Sequence, residues 1–301
     1  MTDHHPHGET RGILLAGGAY AFWGLVPLYW NLLAGVSPIE VTLHRILWCA
    51  LFGLAVTLAR GRVSHLLRIA RTPRLLGALA ASSLLISANW TIYIYCVATH
   101  QLVDASLGYY ITPLVSIGLG VVLLNEKISA ARLIAIALAT VAVAIEAFGL
   151  GHIPWTAPAL ALSFGFYGYV RKLTPVDALD GLTVETLLLF PVTVTLVALW
   201  AIHGTGAFPA PAFGRDALLI GTGPLTAVPL VMFAAGARQV RMTTLGFLQY
   251  ISPTITLLVA VAILGEPFTR TSAIAFGCIW SALVLVSLEG RVPLLTRRVA
   301  E

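Results

Sequence analysis

Tyr110–Ser129 reads YITPLVSIGLGVVLLNEKIS, and Tyr250–Thr269 reads YISPTITLLVAVAILGEPFT. At one constant offset along the chain, Tyr110, Ile111, Pro113, Val121, Leu124 and Glu126 return as Tyr250, Ile251, Pro253, Val261, Leu264 and Glu266. Aliphatic matches arise easily in apolar sequence, so the Tyr, Pro and Glu pairs carry the comparison. An internal repeat has to be read before anything else, because it sets the architecture of the whole chain.

What surrounds the repeat is apolar. Of 301 residues, 58% are hydrophobic and only 10% charged, with a net charge of +5. A soluble domain has about 45–50% apolar and about 25% charged residues. Disordered chains, disulfide-stapled secreted folds and water-soluble enzymes are thereby excluded; this is an all-α membrane protein. A crossing helix needs about 20 mostly apolar residues. Ten runs qualify, at 12–34, 39–59, 75–98, 103–124, 130–149, 155–173, 182–203, 215–236, 243–264 and 270–290. Short alternating barrel segments are missing. Residues 1–11 form a polar tail expected to lack fixed structure, and 291–301 form a second tail.

Basic residues sort by face. With both termini in the cytoplasm, 15 Lys and Arg fall on the cytoplasmic side and only Arg215 and Arg270 outside, with Arg45 inside a span. The excess of positive charge is therefore topological and gives no reason to expect nucleic acid. The step from Tyr110 to Tyr250 passes five spans, an odd number, so the second half runs upside down relative to the first. Residues 12–149 and 155–290 then form two inverted five-helix repeats, a design found in many secondary transporters.

The L-N-E-K-I-S and L-G-E-P-F-T turns resemble the acidic turn that closes the fourth helix of each EamA repeat, in the drug/metabolite transporter superfamily. G-x-x-x-A-F-W-G-L at Gly17–Leu25, E-V-T-L-H-R-I-L-W at Glu40–Trp48, N-W-T-I-Y-I-Y at Asn89–Tyr95, G-Y-Y-I-T-P-L at Gly108–Leu114 and Q-Y-I-S-P-T at Gln249–Thr254 narrow the resemblance to the RarD branch. The resemblance covers nearly the whole chain. It implies a ten-helix bacterial inner-membrane carrier, expected to export small organic metabolites or drugs by alternating access. Alanines between Ala135 and Ala144 replace the glycines common in helix five of such repeats.

Residues costly to place in lipid are the candidates for mechanism. A mid-helix Arg costs about 2.5–3.5 kcal/mol on insertion scales, so it faces protein or water. Arg45 lies about two turns into span two, and its planar fork suits a carboxylate-bearing solute. His44 is its protonatable neighbour. On span three, Ser82, Asn89, Tyr93 and Cys96 share a helix face. Asn89 fits either a solute contact or an interhelical clamp. Trp23, Trp90, Tyr110, Gln249 and Tyr250 complete the candidate cavity lining. Pro113 and Pro253 each deprive the carbonyl four residues earlier of its partner and are candidate helix kinks. Glu185, with His44, is the candidate for proton coupling; Glu146 is the other membrane-edge carboxylate. Glu126 and Glu266 are read as structural, with Ser129 and Thr269 as caps of the helices that follow.

Other chemistries lack their residues. Cys49, Cys96 and Cys278 form no metal-ligand spacing, and His4, His5 and His7 belong to the polar tail. No phosphate-binding G-x-x-x-x-G-K-[ST] and no H-E-x-x-H occur, and Gly118-x-Gly120 lies inside a span. No cofactor is expected, and transport has to be driven by a proton gradient or by solute exchange. Two alternatives stay open: a non-transporting receptor or assembly partner on the same fold, and, more remotely, an intramembrane lipid-modifying enzyme using His44 with Glu185. Small-x-x-x-small patterns leave a homodimer open.

Overall fold

The computed structural model describes residues 6–99, 102–148, 155–209, 213–263 and 270–289. Among these there are twelve helices and no strand: α1 (Pro6–Leu32), α2 (Pro38–Ala59), α3 (Val63–Ala70), α4 (Pro73–Ala98), α5 (Leu102–Leu123), α6 (Ala130–Phe148), α7 (Thr156–Leu173), α8 (Ala178–His203), α9 (Phe213–Ala237), α10 (Met242–Gln249), α11 (Ile251–Ala262) and α12 (Arg270–Leu288). Eight helical stretches are long and apolar enough to cross a bilayer, with α10 and the start of α11 forming one of them. The 18-residue α7 falls outside that set because it carries Ser163, Gly165, Gly168, Arg171 and Lys172. The apolar part of α12 is shorter, running from Ala273 to Leu288. Inside lipid only such closed hydrogen-bonded helices satisfy the backbone.

Three details depart from the sequence expectation. First, α1 reaches back to Pro6, into the polar tail. Proline fits the first helical position and Glu9 complements the positive end of the helix dipole. Second, a short helix, α3, occupies the connection between α2 and α4; Leu66 and Ile69 bury one side of it against Leu79, Val176 and Val184. Third, the span expected at 243–264 is two helices that meet at Tyr250. Pro253 offers no N–H to the Gln249 carbonyl, and its ring crowds that carbonyl. Pro113, by contrast, lies inside an uninterrupted α5.

Pro38 begins α2 and Ala178 begins α8, a pair of helix starts with the same separation as Tyr110 and Tyr250. Packing follows the same exchange: α1 lies against α9 and α11, while α7 lies against α4 and α5. The pairs α2 with α8, α5 with α10, and α6 with α12 pack on each other.

The main core joins the two halves. Ala16, Tyr20, Cys49 and Ile86 meet Tyr167, Leu182, Phe233 and Met242 there. Close approach of α2 and α9 depends on Gly223, where a Cβ would stand 2.5 Å from the Trp48 carbonyl carbon. Backbone cannot yield as a flexible side chain can. Gly223→Ala should therefore cost about 1–3 kcal/mol of stability from overpacking, read as a lower unfolding temperature in detergent. Gly214→Ala, where a Cβ meets nothing within 4 Å, should leave that temperature unchanged.

Candidate functional site

Arg45 projects from α2 to the seam between the halves. Its Nε–H donates to Thr226 Oγ1 on α9 at 3.2 Å. The guanidinium carbon lies 5.1 Å from the Trp30 ring centre and 5.0 Å from that of Trp90, so α1 and α4 each supply an aromatic face. An arginine at such a distance gains cation–π attraction, more so away from water. Tyr93 and Tyr109 lie within its electrostatic reach, with their rings 6.3 Å apart. Among the described residues no carboxylate stands within 4 Å of Arg45, and the Thr226 bond is its one hydrogen bond to protein. The side chain is half-buried. Its two outer nitrogens, which suit a bidentate anion, thus carry no hydrogen bond to a described residue.

The other candidates divide by task. His44 is fully buried. Its Nδ1 accepts a hydrogen bond from Trp48 Nε1 at 2.9 Å, and Phe208 packs 5.1 Å from its ring. Indole only donates, so Nδ1 carries the lone pair and Nε2 the proton; Nε2 has no partner among the described residues. Asn89 spends its amide on α7, donating to the Leu160 carbonyl at 3.0 Å and to Ser163 Oγ at 3.1 Å. It clamps α4 to α7. Gln249 donates to Ser116 Oγ at 2.9 Å, joining α10 to α5. The Tyr250 hydroxyl reaches the Tyr110 carbonyl at 3.4 Å, so the two tyrosines that define the repeat touch each other. Trp23 belongs to an aromatic cluster with Tyr20, Phe164 and Phe233, and Tyr110 packs on Phe276. Glu146 is half-buried on α6. Arg45 and Tyr93 are thus brought together, while His44, Asn89, Gln249 and Trp23 serve packing and interhelical bonds.

Glu185 is 1% exposed. Its carboxylate lies 3.4 Å from Arg171 Nε and accepts a hydrogen bond from the Ser82 hydroxyl. Arg171, counted from sequence among the cytoplasmic topology charges, is also 1% exposed. The reason is Gly181, where any side chain would collide with the guanidinium. Lacking one, α8 admits the arginine beneath its first turns. Sequence reading missed Trp30, Thr226 and Arg171; Arg171 gave a signal as one of the few charges within reach of a span, but its place at a helix end concealed it.

A further set of polar ties between the halves sits at the basic face. Glu126 Oε1 accepts from the Met242 amide at 2.6 Å and Oε2 from the Thr243 amide at 2.9 Å, so a carboxylate of the first half caps α10 of the second. Negative charge suits that positive helix end. Arg132 donates to Thr243 Oγ1 at 3.0 Å and to Glu289 at 2.8 Å. Ser129 caps α6 by accepting from the Arg132 amide at 3.2 Å. Burial alone would raise the Glu289 carboxyl. Hydrogen bonds from Ser129 and Arg132, and the charges of Arg132 and Arg241, outweigh it and hold that carboxyl below the ordinary range. Lys172 donates to the Ala237 carbonyl at 3.0 Å. Glu266 and Thr269, the sequence counterparts of Glu126 and Ser129, lie outside the described residues, as do both tails apart from 6–11.

The EamA-like transporter family model matches the chain twice, at residues 10–147 and 155–288. The chain belongs to the EamA-like transporter family. An uncharacterized transporter of Pseudomonas aeruginosa is 40% identical over 279 residues, covering 93% of this chain and 94% of that protein. A protein named RarD from Streptomyces exfoliatus is 39% identical over 282 residues, covering 93% and 89%. RarD of Escherichia coli is 37% identical over 282 residues, covering 93% and 95%. A crystal structure described only as that of a protein shares the fold, with a TM-score of 0.71 at 19% identity, over 94% of this chain and 98% of that one. Family membership of the RarD type makes this a multi-pass bacterial membrane transporter, not an enzyme.

Glu126→Ala should leave the Met242 and Thr243 amides without an acceptor and cost about 1–2 kcal/mol, the range of a lost helix cap. The unfolding temperature in detergent reads the loss, and Glu126→Gln, which keeps one acceptor oxygen, should lose less.

Proposed function

We propose that this protein is a secondary active transporter that exports small organic solutes bearing a carboxylate or similar anionic group. Two inverted five-helix repeats, ten crossings in all, expose one central site to each face in turn, with both termini in the cytoplasm. The observation that carries the reading is Arg45: a cation at the seam of the halves, flanked by two indoles, with the outer part of its donor fork unspent. A cation partly removed from water without a protein anion is costly. A solute anion would offset that cost whenever it binds. Trp30 and Trp90 would hold the guanidinium flat and present apolar surface to the rest of the solute. Tyr93 and Tyr109 would add hydroxyl contacts. Asn89, Gln249, Tyr250, Tyr110, Trp23 and His44 would position the lining from behind.

The matching starts of α2 and α8 at the Tyr110-to-Tyr250 offset, the self-mapping packing pattern and the double match of the family model all support the repeat. The division of 15 basic residues from 2 supports its inversion and the orientation. The Glu126 cap and the Arg132 bonds would then close the cytoplasmic face and have to part when it opens. Coupling to protons is assigned to Glu185. His44 is less suited, because protonating Nδ1 would break its bond with Trp48.

The test is a screen of organic acids and their neutral analogues in sealed vesicles with imposed proton or solute gradients. Arg45→Ala should lower uptake of any accepted acid at least about tenfold, as expected for a lost charge-assisted bond, while membrane insertion is unchanged. Full flux in Arg45→Ala would remove the arginine from the mechanism.

A further inference from the structure

Glu185 and Arg171 form a buried ion pair that the solute site does not use. Three neighbouring helices place groups around Glu185. From α7 come the Arg171 guanidinium and the Tyr167 hydroxyl. From α4, the Ser82 hydroxyl donates to Oε1 and the Ser83 hydroxyl to the Glu185 backbone carbonyl at 2.9 Å. From α2 comes Cys49, which neighbours both Arg45 and Glu185. A separate titratable cluster lies at the first turns of α8, where Asp180 meets Arg62 at 2.7 Å and His65 at 3.3 Å.

The pair is incomplete in a specific way. Glu185 Oε2 has no hydrogen-bond partner among the described residues, nor do Arg171 Nε and Nη1. Only Nη2 makes a hydrogen bond, to the Ala178 carbonyl at 3.2 Å. A pair retained for rigidity alone would be expected to spend both forks, because buried ions are costly unless fully hydrogen-bonded. Here one carboxylate oxygen is unspent beside two unspent N–H groups. Meanwhile the cluster joins α4, in the first half, to α7 and α8, in the second. It sits toward the basic end of those helices, across Cys49 from the candidate solute site.

We propose that Glu185 is a proton-binding site whose counter-charge is Arg171, and that proton uptake unlocks α4 from α7 and α8 at the basic face. Hydronium from the aqueous phase gives up one O–H bond and leaves as water, one O–H bond forms at Oε2, and the cluster gains one positive charge. The neutral carboxyl no longer holds Arg171 by charge and accepts the Ser82 hydroxyl more weakly, so the bond that ties α4 in the first half to α8 in the second loosens there. This deepens the transport reading by naming how protons would be coupled to it. Its test contains no solute, so the two can fail separately.

Spin labels at Gly77→Cys, on an open stretch of α4, and at Leu173→Cys, 53% exposed at the end of α7, report the separation in lipid nanodiscs. Cys49, Cys96 and Cys278 are first replaced by alanine. Lowering the pH from about 8 to about 5 should enlarge the longer-distance population at least about threefold, as a proton-linked equilibrium requires. Glu185→Gln, a mimic of the protonated carboxyl, should show that population at both pH values. His65→Gln should leave the response intact. An unchanged distance in the parent, a retained pH response in Glu185→Gln, or its loss in His65→Gln would overturn the proposal. A pH response without flux of any solute would uphold the proton switch and retire the transport reading.

Discussion

Hydrocarbon offers no hydrogen bonds, so each polar side chain inside this bundle has to be satisfied by another part of the protein. The rest of the structure follows from how the chain meets that demand. Asn89 is satisfied on α7, Gln249 on Ser116, Ser82 on Glu185, and Thr226 accepts from Arg45. Every one of these bonds crosses between residues before 149 and residues after 155. The polar groups that lipid makes expensive are thereby turned into the ties that hold one half of the chain against the other.

At the basic face Glu126, Arg132 and Arg62 reach across the seam. At the opposite face, ties among the described residues include Glu40 to the Ala207 amide and Tyr29 to the Leu218 carbonyl. Between the two faces lie Arg45, with donors to spare, and Glu185 with Arg171, satisfied in part. Their unspent donors and acceptors are what would let charge be exchanged there with something that moves.

Much of the fold was legible because its signals are periodic. Apolar runs of spanning length gave the helices, and the Tyr, Pro and Glu matches gave the offset that relates the start of α2 to that of α8. Arg45 was legible because an arginine inside an apolar run has a cost that demands a reason. Trp30 and Thr226 were not, since tryptophan and threonine are ordinary in membrane helices and their meeting with Arg45 joins residues up to 181 positions apart. Arg171 was hidden by its place at a helix end, where basic residues normally mark the cytoplasmic face. Only the missing side chain at Gly181 lets it turn inward. The helix boundary at Tyr250 lies three residues before the proline that signals it, and the small helix α3 is fixed by tertiary contacts of Leu66 and Ile69 that no local pattern announces.

The central claim is that the unspent fork of Arg45 receives a solute anion between Trp30 and Trp90. Equilibrium titration of the purified protein, followed by tryptophan fluorescence, tests it most directly, using pairs of small organic acids and their uncharged amides. A carboxylate site requires saturable change with an acid, little or none with its amide, and loss of the response in Arg45→Gln. Equal responses to acid and amide, or an acid response that survives the substitution, would contradict it.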